Sequence, residues 1–179
     1  MIDKTISILG LRIPSSKPAF LGIVAVHVAT ALACLVAGIG AIFTGKGSKR
    51  HRIYGRTYYR FLFVVAFTAA ILAIVRWEQD YYLLILGVLS FTAAFLGRRA
   101  LLHRWRNWTA IHIVGMGGSF ILLLTAFYVD NGKNLPVWKH LPVVLYWLLP
   151  GAVGMPLIIR ALRKHPTSRY ARGLRPVQK

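Results

Sequence analysis

Six histidines and one cysteine supply most of the ligating and proton-carrying chemistry this chain offers away from its carboxylates. His27 and His112 fall inside long apolar stretches, where an ionisable group is costly and marks a functional position by default. His51 and His103 sit in short, strongly basic connections, and His140 and His165 in polar segments. A haem b or a metal ion needs two or more such imidazoles within ligand distance, and each Fe–N or Zn–N bond is only ~2 Å long. His112 with His51 or His103 is the pairing that depth allows. Met116, one turn beyond His112, adds a soft sulfur, and neighbouring arginines offer partners for haem propionates. The bland reading of the same residues is solvated loop histidines among arginines.

His27 heads a stripe of small or polar residues, Thr30, Ala31, Cys34 and Gly38. A second stripe runs through His112, Gly115, Met116 and Ser119. Spacings of three, four and seven place each set on one helix face. Small residues let membrane helices approach closely, so the two stripes are expected to face each other or a shared cavity. Counting rise per residue separates His27 from His112 by ~10–15 Å along the membrane normal, which disfavours one haem between them. His27 then falls level with Ser119, its expected hydrogen-bond partner. The apolar stretches hold no carboxylate, which argues against an acidic proton relay. No hydrolase elbow, phosphate-binding GxxxxGK[ST] loop or HExxH helix is present. Gly45–Arg50 (GKGSKR) follows a helix rather than a strand and reads as a flexible basic turn.

The elements that must position these groups are five apolar stretches, roughly 18–44, 57–76, 81–97, 108–129 and 141–161. Each is long enough for a helix to cross a ~30 Å hydrocarbon core. A hydrophobic content of 56% and a mean hydropathy of +0.57 exceed those of an ordinary soluble domain. In a soluble protein a pI near 11.2 would suggest nucleic acid. Here its distribution says otherwise. Seventeen of the 23 lysines and arginines, and none of the four acids, lie between the first and second stretches or at the adjoining end of the second (Arg60), between the third and fourth, and in the tail with the adjoining end of the fifth (Arg160). Asp3, Glu78, Asp80 and Asp130 all belong to the alternate segments. Cytoplasmic loops collect Lys and Arg and face anionic lipid. The pattern places the N-terminus outside and the C-terminus inside, with Lys4, Arg12 and Lys17 running against the trend. Nucleic acid is not expected as a partner.

Aromatic residues support this layout, with Tyr54, Tyr58, Tyr59, Trp105 and Trp108 at inner helix ends and Trp77, Tyr81, Tyr82, Tyr128 and Trp138 at outer ends, all suited to the headgroup layer. The fifth stretch contains Pro150, Gly151, Gly154 and Pro156, which should kink or break its helix. Residues 1–17 read as an interfacial N-terminal segment, 18–163 as a five-helix transmembrane domain, and 164–179 as a basic cytoplasmic tail. The first apolar run is too long for a cleavable signal and reads as a retained helix. The lone Cys34 excludes an intrachain disulfide.

The segment from Gly45 to Arg60, GKGSKRHRIYGRTYYR, resembles the HRxxGRxY signature of an uncharacterised family of predicted bacterial multipass membrane proteins. Its pattern also matches His27, the run His103-Arg104-Trp105, and the stretch from His112 to Asn131. The resemblance implies a bacterial inner-membrane protein with matched positions at His27, His51, Gly55, Arg56, His103, Arg104 and His112, and implies no activity.

The expected fold is an all-α integral membrane bundle of five transmembrane helices. The expected role is a non-enzymatic subunit or scaffold of a membrane complex, with a basic cytoplasmic face on anionic lipids and with other membrane subunits as partners. A histidine-ligated haem b or metal electron-transfer module, and a small-molecule transporter built around helices one, four and five, are the alternatives.

Overall fold

The computed structural model describes residues 18–165 in full, together with the backbone of residues 6–8 and 11–13. Nearly all of this is helix. A short antiparallel hairpin, β1 (Ile6–Ile8) with β2 (Leu11–Ile13), pairs Ser7 with Arg12. Five helices follow: α1 (Pro18–Phe43), α2 (Lys49–Val75), α3 (Trp77–Leu102), α4 (Trp108–Asn131) and α5 (Val143–Lys164). All five are long and apolar enough to cross a membrane. Two single 3-10 turns, Gly132–Asn134 and Trp138–His140, connect α4 to α5. The basic tail beyond residue 165 lies outside the described residues.

The chain divides into two compact units, residues 1–88 with 130–141, and residues 89–129 with 142–179. In the first, α1 and α2 form an antiparallel hairpin. Its turn is built from Gly45 to Ser48, and Gly47 takes φ +80°, a conformation that glycine adopts without a Cβ clash. Ser48 caps α2, its Oγ accepting the His51 amide at 3.1 Å. The Lys46 ammonium donates to the last carbonyls of α1, those of Ala41 and Ile42, both at 2.9 Å. A cation there also meets the negative end of the helix dipole. Burial in this cap pulls the Lys46 ammonium below its ordinary value.

The hairpin interface is tight. Cys34 is fully buried and its thiol points at the Tyr58 carbonyl, 3.6 Å away. A Cβ on Gly40 would lie 2.8 Å from the Tyr54 ring. Tyr58, expected at the headgroup layer, is instead 2% exposed in this interface. Tyr54, Trp77, Tyr81 and Trp105 are exposed, as anchors should be.

In the second unit, α3 and α4 touch backbone to backbone. A Cβ on Gly115 would lie 2.6 Å from the Ala93 carbonyl oxygen and 2.7 Å from Gly97 Cα. The α-hydrogen that stands in that place points at Ala93 O, the weak Cα–H···O contact typical of close helix pairs. The turn between them holds Arg104 and Asn107 at positive φ. For Arg104 this costs of order 1 kcal/mol. Its guanidinium stacks 4.6 Å from the Trp108 ring centroid, an offsetting cation–π contact.

Helix five is not broken. It runs unbroken from Val143 to Lys164 with Pro150 and Pro156 inside it. Each proline removes one backbone bond, and the surrounding turns hold the rest. Its small residues receive α4: Gly154 takes the Ile121 side chain, and Ile158 fills the space above Gly117. Glycine opposite a branched side chain is knob-and-hole packing rather than a substrate gap.

Candidate functional site

Three histidines, His27, His51 and His112, have a partner on the neighbouring helix. His27 on α1 places Nδ1 2.8 Å from Thr68 Oγ1 on α2. The Thr68 hydroxyl is also 2.8 Å from the Val64 carbonyl of its own helix. With its one proton on that carbonyl, the hydroxyl oxygen accepts from His27 Nδ1–H. The expected partner, Ser119, is engaged elsewhere: its hydroxyl donates to Met116 O at 2.8 Å, and its carbonyl accepts the Ser90 hydroxyl of α3 at 2.8 Å.

His51 and His112 share one device. His51 Nδ1 lies 3.0 Å from Ala41 O across the α1–α2 turn, and His112 Nδ1 lies 3.1 Å from Gly97 O across the α3–α4 contact. A carbonyl only accepts, so both rings carry a proton on Nδ1. The stripe on α1 thus meets α2, and the stripe on α4 meets α3; each polar face is occupied by its neighbour in sequence. His112 and the Ser90–Ser119 pair flank the Gly97–Gly115 contact on its two sides. Together they fix both the separation of these helices and their register.

His103 is exposed at the end of α3, its amide bonded to Arg99 O at 3.0 Å. Met116 is half-buried on α4. His140 is exposed, and His165 ends the described chain. His51 belongs to one compact unit, and His103, His112 and Met116 to the other. An imidazole whose Nδ1–H is tied to a carbonyl is oriented as metal-ligating histidines are. Among the described residues no group of three or more His, Cys, Asp or Glu is arranged around one point.

A charged cluster went unnoticed in the sequence because its members lie at the margins of the apolar stretches. Asp80, in the first turn of α3, is buried and pairs with Arg76 at 3.1 Å. Asp130 in the last turn of α4 and Lys133 beyond it lie within electrostatic range of Asp80. The available signal was the i,i+4 spacing of Arg76 and Asp80 around a helix start. Among the described residues every buried side-chain nitrogen and oxygen has a hydrogen-bond partner.

With the geometry in view, comparison of the chain with protein-family models, curated proteins and solved structures finds no match.

Proposed function

We propose that this chain is a non-enzymatic multipass subunit or scaffold of a bacterial inner membrane, with its basic connections on the cytoplasmic side against anionic lipid. The observation that carries the reading is the segregation of charge: seventeen cations and no acid in three alternate segments. Lys46, Lys49, Arg50, Arg52, Arg56, Arg104 and Arg106 are exposed. The intramembrane polar groups support a packing role, since His27, Thr68, Ser90, His112 and Ser119 all spend hydrogen bonds on helix–helix contacts. The likeness of Gly45–Arg60 to the HRxxGRxY family accords with a bacterial membrane home. Gentle affinity purification from native membranes tests the reading. A membrane partner in fixed stoichiometry is the expected result, and a protein that works as an isolated monomer would refute it.

The carbonyl-anchored rings of His51 and His112 favour one second reading, a haem b or metal electron-transfer module. It requires a reduced-minus-oxidised optical band in the purified protein that survives His140→Ala and disappears in His112→Ala. A colourless, metal-free preparation removes it. The transporter alternative is tested by ligand uptake into proteoliposomes, and uptake unaffected by enlarging Gly151 or Gly154 would count against it.

A further inference from the structure

One face of α2 carries an exposed cationic stripe. Lys49, Arg52, Arg56 and Arg60 are all exposed, and their spacings of three, four and four put them on a single stripe. The stripe continues into Phe63 and Phe67, which are 54% and 60% exposed and stack on each other with ring centroids 6.3 Å apart. The buried residues of α2, Tyr58, Leu62, Val65 and Thr68, lie on the opposite side of the helix. The cationic rungs therefore look outward, in line with exposed apolar rings. Successive arginines, four residues apart, are separated by about 6 Å along this face. Only about 20 residues of α2 are needed to cross the hydrocarbon, so Lys49 and Arg52 stand at headgroup level, Arg56 stands at its edge, and the long Arg60 side chain, tilted toward the helix N-terminus, reaches back to it.

We propose that this stripe of α2 is a binding site for an anionic phospholipid whose headgroup carries two phosphates. The phosphates bridge neighbouring rungs of the ladder, and the acyl chains lie over Phe63 and Phe67. The occupant is argued from charge complementarity and from the continuity of cationic and apolar surface along one helix face. Arginine suits it, because its guanidinium binds phosphate through two parallel bonds. No acid competes for these cations between Lys4 and Glu78. The inference rests on the reading of the basic connections as lipid-facing and narrows it to one helix.

The test uses the full chain in detergent, titrated with diphosphatidylglycerol or with phosphatidylcholine, and counts retained lipid by native mass spectrometry. The wild type should retain the diphosphate lipid in preference to phosphatidylcholine. Arg56→Gln with Arg60→Gln should weaken that preference by on the order of tenfold. Arg104→Gln with Arg106→Gln removes the same charge elsewhere and should change it by less than about twofold. Equal losses in both double variants would overturn the α2 site while leaving a generally basic, lipid-binding face. No preference in the wild type would overturn both. Phe63→Ala with Phe67→Ala distinguishes the lipid from free phosphate: it should shorten lipid retention, and an unchanged retention would mean that the acyl chains do not lie there.

Discussion

At the scale of single residues, the contact between Gly97 and Gly115 sets how close α3 and α4 can come. A methyl group on Gly115 would meet backbone atoms, the Ala93 oxygen and Gly97 Cα, so no side-chain rotation relieves it. Gly115→Ala should therefore destabilise the protein by about 1–3 kcal/mol. Gly118, with nothing within 4 Å, should accept the same change with little effect. Unfolding in mixed micelles with increasing denaturing detergent measures both, and equal losses would contradict the described contact. His112→Ala, which removes the bond to Gly97 O, should cost about 0.6 kcal/mol, the usual value for a polar contact between membrane helices. A larger loss would show that the ring does more than hold α3. The residue types behind these contacts were legible in the sequence as stripes of small and polar side chains. Their partners were not, because a helix face records what a neighbour must be like and not which neighbour it is. The pairs His27–Thr68 and Cys34–Tyr58 mirror each other about the Gly45–Ser48 turn. A short connection imposes that register on any antiparallel hairpin.

At the scale of elements, hydropathy located five helices, and two of them begin ahead of their apolar stretches. The second apolar stretch starts near residue 57, whereas α2 starts at Lys49. Hydropathy reports the thickness of hydrocarbon, and a helix continues past it when its end is capped and its residues favour helix. Ser48 supplies that cap, and Lys46 terminates the preceding helix. The Lys46 cap has a pH signature. Its ammonium titrates below 10.5 in the folded protein and near 10.5 when unfolded. Between those values the unfolded chain holds the proton that the folded chain has released, so stability rises with pH across that window. Lys46→Gln should flatten the rise; melting temperatures of both proteins through this alkaline range are the measurement, and identical slopes would remove the assignment. In α5, Gly154 is filled by Ile121, and Gly151 faces open space. Gly154→Leu should destabilise the protein by about 1–3 kcal/mol, while Gly151→Leu should leave the unfolding midpoint close to wild type. The sequence flagged both glycines and both prolines as a kink or a break, and the helix is not broken. A local rule cannot see that packing against α4 holds the helix together through two missing hydrogen bonds.

At the scale of the whole molecule, the claim with the widest reach is that alternate connections share a compartment. Two spans separate the α1–α2 turn from the α3–α4 turn, so a chain that crosses with every helix returns both to the same side. The proposed topology, which follows the positive-inside rule, puts that side in the cytoplasm. The molecule is well suited to a direct test, because its lone cysteine is fully buried against Tyr58 and should be inert to a polar maleimide. Ser48→Cys and Arg106→Cys place thiols in the two basic turns, and Gln79→Cys and Asn134→Cys place them at exposed positions near the acidic ends of α3 and α4. In intact cells with a permeant outer membrane, an impermeant reagent should label the latter pair and spare the former. Inverted vesicles should reverse the result. If Ser48→Cys and Arg106→Cys reacted from opposite sides, one helix would not cross. The depth relation between His27 and His112 and the lipid-facing role of the α2 ladder would then fall together, since both take their level in the bilayer from that alternation.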